Sequence, residues 1–198
     1  MASMVSPTTC LYLHKQRIKL PSHGRFRITA SIPEASDDKH PKLIARSGKK
    51  PEYLGVQKNE RLALCPATNN CISTSESVSD RVHYAPPWNY NGGRKTPVSK
   101  EVAMKELLNV IKSTKPDKFT PRIVEKKDDY VHVEYESPIL GVIGVDDVEF
   151  LFSPGKNSTV EYRSASRKGN FDFDVNRKRI KALRQELEKK GWESENSF

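Results

Sequence analysis

Acids are missing from the first thirty residues, cysteines are few, and no apolar run is long. Each absence excludes something. Residues 1–30 carry Lys15, Arg17, Lys19, Arg25 and Arg27 but no carboxylate, Glu34 being the first. They also lack an apolar core long enough for a secretory signal. Rich in hydroxyls and bases, this stretch reads as an organelle transit peptide. Ile28-Thr29-Ala30-Ser31 looks like the small-residue processing site of a chloroplast precursor, with the cut after Ala30. A basic arm that stays in place and touches RNA is the competing reading, and the abundance of Ser and Thr without acid favours the transit peptide. Downstream, the longest uncharged apolar stretch is "PILGVIGV", far short of the ~20 residues a spanning helix needs. The mature chain is therefore expected to be soluble or at most peripheral on a membrane. With no twin Arg before an apolar run, the stroma is favoured over the thylakoid lumen.

The three cysteines are Cys10, which leaves with the transit peptide, and Cys65 and Cys71 in "CPATNNC". A zinc site fails on this spacing, because His83 alone cannot complete four ligands. A redox-linked disulfide fits across so short a loop. Two reduced thiols are the more ordinary state of neighbouring cysteines inside a cell, and that state is the expectation. No metal and no cofactor motif is found.

Charge narrows the partner class. The 34 Lys and Arg exceed the 25 Asp and Glu by nine, which suggests nucleic acid or an anionic membrane. Removing the five N-terminal bases from the 34 leaves 29 against 25, a surplus of only four. At 198 residues, 35% hydrophobic and 30% charged, the chain has room for one domain plus tails. Residues 31–60 mix Pro, Ser, Gly and charge without apolar periodicity and read as a flexible linker. Residues 62–96 hold Pro-Pro and Gly-Gly pairs but also Ile72, Tyr84, Trp88 and Tyr90, so they read as an arm that wraps over the domain and packs its aromatics. Residues 193–198 read as a disordered tail.

Between arm and tail the periodicities are clear. Thr96-Pro97 announces a helix, and Val98, Val102, Met104, Leu107, Leu108 and Ile111 give it one apolar stripe that Lys115-Pro116 ends. "RIVEKKDDYVHVEYE" is a hairpin around Lys127-Asp128-Asp129. "DDVEFLFS" and, after a Pro154-Gly155 turn, "TVEYRSAS" are two more strands, with Val148, Phe150, Phe152, Val160 and Tyr162 facing inward. A last helix from about Val175 to Lys190 is capped by Asp174, buried along Val175, Ile180, Leu183 and Leu187, and stopped by Gly191. The expected fold is α+β: a four-stranded, mainly antiparallel sheet, an N-terminal and a C-terminal helix on one face, and an extended arm before it, all within 61–192. The other sheet face is then the charged one.

Three separated motifs, "NNCISTSE" at 69–76, "DDVEFLF" at 146–152 and "RSASRKGNFDFDVNRKRI" at 163–180, resemble the domain of unknown function 1499 family over about residues 66–192. The resemblance implies a small domain, chloroplast targeting in plant members, and no established reaction or cofactor. The family's usual Asp-Leu-Gly-Val-Asn entry into the last helix looks like Asp172-Phe173-Asp174-Val175-Asn176 here, with Asp where Gly is common.

Four constellations could carry chemistry. Ser164, Ser166, Arg167 and Gly169 before a helix N-terminus could cradle phosphate, but the spacing is no dinucleotide fingerprint and Asp172 and Asp174 would repel the anion. A buried network pairing Asp172 with Arg163 or Arg167 is the expectation. Glu134, Glu136, Asp146, Asp147 and Glu149 could divide acid and base roles or hold a cation. Cross-strand pairing, with Glu136, Asp147 and Glu149 near Arg163, is the simpler account, and His132 on that face is expected to be solvated. The basic helix face, with Arg177, Lys178, Arg179 and Arg184, lacks aromatic platforms, so nucleic acid is an unlikely partner and a solvated face is expected. "SPILGVIGV" is either a bulged strand packing inward or an apolar tip that docks to a thylakoid surface or partner, with the bulge favoured. The reading is a non-catalytic binding or assembly module, in the stroma or peripheral on the thylakoid, for an unidentified protein partner or small anionic ligand. An enzyme on a small acidic or phosphorylated substrate, using the Glu/Asp cluster with Arg163, Arg167 and Asn176, is the alternative.

Overall fold

Alternating residues at 120–166 build four strands that follow one another in sequence and in space. These are β3 (Thr120–Lys126), β4 (Tyr130–Ile139), β5 (Val142–Phe152) and β6 (Thr159–Ser166). The computed structural model describes residues 48–139, 142–155, 158–170 and 172–194, with backbone alone at 138–139 and 142–143. All of these lie in the unit Lys42–Phe198. Residues 1–30, read above as a transit peptide, the first part of the expected linker and the last four residues lie outside the described residues.

The sheet has seven strands rather than four. Its order is β3-β4-β5-β6-β2-β7, with a further strand, β1, also on β6. The three additions, β1 (Cys71–Ser73), β2 (Trp88–Asn89) and β7 (Glu193–Ser194), are too short for alternation to announce them. β1 lies antiparallel to one half of β6 (Cys71↔Ala165) and β2 to the other (Trp88↔Val160), while β7 adds to β2. The arm and the residues after the last helix thus close the edge that β6 would otherwise expose. "SPILGVIGV" continues the β4–β5 ladder through Pro138↔Ile143 and Ile139↔Val142, so a tight hairpin replaces the expected bulge. Its tip, 140–141, lies outside the described residues, as do the side chains flanking it. A bulge does occur, between Ile123 and Glu125 of β3.

Helix α1 (Lys100–Ser113) starts three residues later than Thr96-Pro97 suggests, because the Ser99 hydroxyl accepts from Val102 N. Its buried stripe is Ala103, Met104, Leu107, Val110 and Ile111, while Val102 is exposed. Helix α2 (Val175–Glu188) buries Ile180, Leu183 and Leu187 as expected, and Gly191 ends the segment at φ 88°. Both stripes join one cluster with Val131, Val133, Val148, Phe150, Val160 and Tyr162, so both helices cover one face. Trp88 from the arm packs 4.5 Å from the Tyr162 ring and 5.9 Å from Phe150, and Tyr90 meets Phe152 and Trp192. The arm's aromatics therefore lie in the core.

The opposite sheet face is charged, as alternation requires, but covered. Residues 53–63, partly in the stretch expected to be linker, form a strap without helix or strand across it. Leu62 joins Tyr130 and Leu151 in a small second core. Gly55 N donates to Glu149 Oε1 at 2.7 Å, and the Tyr53 ring lies 4.6 Å from the Arg163 guanidinium.

Candidate functional site

Two charge networks arise because β6 presents Ser164 and Ser166 to the helices and Arg163 to the strap. On the helix side, Asn176 in the first turn of α2 is the hub. Its Nδ2 lies 3.0 Å from Asn70 O, 3.0 Å from Ser166 Oγ and 2.6 Å from Asp172 Oδ2, and its Oδ1 accepts from Ser164 Oγ at 2.6 Å. Arg179, fully buried, donates to Asn176 Oδ1 at 2.9 Å and to Asp146 Oδ2 at 2.6 Å, and its guanidinium sits 4.5 Å from the Tyr135 ring. Strand, helix and arm are tied together by buried hydrogen bonds whose loss would leave several polar groups unpaired.

Asp172 stands at this junction but pairs with neither arginine expected for it. It accepts from Asp174 N and Asn176 N, both at 3.0 Å, and so caps α2. Asp174 occupies the cap position in a left-handed conformation, φ 62°, and makes no capping bond with its side chain. The capping role belongs to Asp172, two residues earlier. The basic face of α2 also departs from expectation, since Arg179 and Arg184 are buried rather than solvated. Arg177, at the exposed end, donates to Val82 O at 2.6 Å.

On the strap side, Arg167 is the hub. Its Nε donates to Asp147 Oδ2 at 2.8 Å and its Nη2 to Asp147 Oδ1 at 2.7 Å, with a further bond to Glu134. These bonds hold its proton more tightly than usual, against the effect of burial. His132, fully buried, contacts Asp147 Oδ1 through Nε2 at 2.8 Å. Burial pushes the Asp147 carboxyl up, but hydrogen bonds from Arg167 and His132 and their charges outweigh it and leave the group below the ordinary aspartate value. Arg122, half in solvent, binds Glu134 and reaches Glu136 at 3.0 Å. Farther along, Glu149 accepts from Gly55 N and from Tyr130 Oη at 2.8 Å, and burial raises its pKa despite these bonds and the nearby Arg163. Arg163 lies 3.7 Å from Glu149.

The structure therefore brings Glu136, Asp147, Glu149, Arg163 and Arg167 to one face, and Ser164, Ser166, Asp172 and Asn176 to the other. Sequence reasoning missed Asn70, Tyr53, Gly55 and the buried roles of His132 and Arg179. Asn70, inside "NNCISTSE", and Arg179, inside "RSASRKGNFDFDVNRKRI", lay in signalled motifs. His132, Glu134 and Asp147 have ligand-type atoms within 4.8 Å of one another, but Arg167 already bonds both carboxylates, so a cation would have to displace a guanidinium.

Cys65 and Cys71 form a disulfide, with Cα atoms 5.6 Å apart, where two thiols were expected. The loop between them folds back, as Thr68 N binds Pro66 O and Asn70 N binds Thr68 O, and this brings the sulfurs together. The bond staples the end of the strap to β1. Beside it, Asn69, Cys71, Ile72, Arg81, Val82, Asp172, Asp174, Asn176 and Arg177 line a recess of about 250 Å³.

Fold and site define a small α+β domain whose described arginines and carboxylates mostly pair with each other, with a recess of mixed lining at a strand-to-helix junction. Residues 61–187 match the family described as "Protein of unknown function (DUF1499)", and the chain belongs to that family. No curated protein and no solved structure matches it. Among the described residues no helix is long and apolar enough to cross a membrane.

Proposed function

We propose that this protein is a plastid binding or assembly module rather than an enzyme, acting in the stroma or at the thylakoid surface on a protein partner or a small anionic ligand. The observation that carries the reading is that His132, Asp147 and Glu134 are buried and are tied together with the Arg167 side chain, itself 5% exposed. A catalytic acid or base needs a reacting group within reach, and these have each other. Docking falls instead to the recess beside α2, whose lining includes Arg81 and Arg177, Asp172 and Asp174, and the apolar Ile72 and Val82. Such mixed walls suit recognition of a small polar group. The plastid address rests on the acid-free residues 1–30.

A thermal-shift screen of the purified chain against phosphate metabolites, carboxylates and divalent metals tests the binding claim. The expected result is stabilisation by an anion that Arg81→Ala or Arg177→Ala abolishes, or co-purification of a partner protein that the same variants lose. Turnover of a small acidic or phosphorylated substrate would contradict the reading. N-terminal sequencing of the protein from plant tissue should give Ser31, and Met1 or Ala2 would refute the transit peptide.

A further inference from the structure

His132, Glu149 and Arg163 occupy opposed register positions on β4, β5 and β6, so their side chains stand in one row under the strap. All three are fully buried. Yet Nε, Nη1 and Nη2 of Arg163 have no hydrogen-bond partner, nor do His132 Nδ1 and Glu149 Oε2. The nearest approach, Arg163 Nη1 to Glu149 Oε2, is 3.7 Å, too long for a hydrogen bond. A guanidinium carries five N–H donors, and burying them unpaired is strongly unfavourable. The imbalance has a direction, because the five donors of Arg163 face two unpaired acceptors, Glu149 Oε2 and the Nδ1 of His132, whose ring donates its Nε2–H to Asp147. Water supplies donors and acceptors alike and leaves that surplus in place. An oxyanion supplies acceptors only, in the geometry a guanidinium fork matches.

We propose that Arg163, with His132 and Glu149 beside it, forms an internal site for a small oxyanion of carboxylate or phosphate type, entered when the strap at Tyr53–Gly55 lifts. The cover is lightly held: Tyr53 is 42% exposed and lays its ring on the guanidinium, and Gly55 contributes one backbone hydrogen bond to Glu149. Burial makes Glu149 hold its proton more strongly, which lessens repulsion of an incoming anion. The site rests on the binding-module reading but uses none of the residues of the recess beside α2.

The test is a ¹H–¹⁵N NMR titration of the full chain with formate and with inorganic phosphate, at constant pH and ionic strength against chloride. The Arg163 Nε–H and the Gly55 amide should shift saturably with at least one oxyanion and not with chloride. Arg163→Lys, read at Gly55, should weaken binding about tenfold through loss of the fork, while Lys189→Ala, at an exposed position just after α2, leaves it unchanged. Tyr53→Ala, a substitution at a half-exposed residue, should speed anion exchange. No shift at either reporter would mean an ordered water only and would overturn the site, as would binding unaltered in Arg163→Lys or exchange unaltered in Tyr53→Ala. A saturable shift confined to residues around Arg81 and Arg177 would overturn this site and leave the binding-module reading standing.

Discussion

At the scale of single residues, buried polar groups differ in how completely they are satisfied. Asn176 has partners for both ends of its amide, and Arg167 is held by two carboxylates, whereas Arg163 next door is not. Asp147 shows what the pairing does to titration. Its folded pKa is depressed, so its contribution to stability is present above the unfolded value and is lost as pH falls through the folded one. Urea midpoints measured across acid pH should therefore fall below about pH 4 in the native chain. In Asp147→Asn the stability near pH 7 should be lower and the acid limb shallower, while parallel curves would show that Asp147 is not held by these partners. Alternation placed Glu134, Asp147, Glu149 and Arg163 on one face correctly from sequence. It could not reveal that His132 is buried, because a polar residue on a pleat looks the same whether water or a strap lies above it, and Arg179 on α2 lies outside what strand alternation can read.

At the scale of elements, the entry to α2 and the strap each invite a substitution. Phe173 and Asp174 both have positive φ, 55° and 62°, a conformation that costs a side-chain-bearing residue roughly 1 kcal/mol or more. Asp174 makes no capping bond in return, which gives a physical reason for Gly at this position in the family pattern. Asp174→Gly should raise stability by about 0.5–1 kcal/mol, read from urea unfolding, and a loss of that size would show that the carboxylate contributes something its geometry does not reveal. The strap is anchored by the Cys65–Cys71 bridge, whose ends are six residues apart. Opening so short a loop should cost about 2 kcal/mol. Urea curves with and without a dithiol should show that difference, together with faster proteolysis near Tyr53–Cys65 in the reduced chain. Equal curves would make the bridge irrelevant to the fold. The strap was hidden from sequence reasoning because its contacts, among them a backbone N–H, an aromatic ring, one leucine and Arg61, do not recur with a period.

At the scale of the whole molecule, the two helices and the four long strands were legible because each buries a stripe that repeats at 3.6 or 2 residues. The short edge strands were not, since pairing of two or three residues is decided by what lies alongside in space. What unites the fold is that its signature motif serves both faces at once: Ser164, Ser166 and Asn176 bind the helix layer to the sheet, while Arg163 and Arg167 sit under the strap. The account's central claim is that this motif holds the domain together rather than carrying out a reaction. Its most direct test is the stability of Arg167→Ala by urea unfolding, with Arg122→Ala, whose side chain is 47% exposed, as the surface control. Removing Arg167 leaves Asp147 buried without its guanidinium and Glu134 with Arg122 alone, and a loss of about 3–5 kcal/mol is expected, against about 1 kcal/mol or less for Arg122→Ala. An Arg167→Ala chain as stable as the native one, but with its response to small anions or its partner lost, would contradict the account.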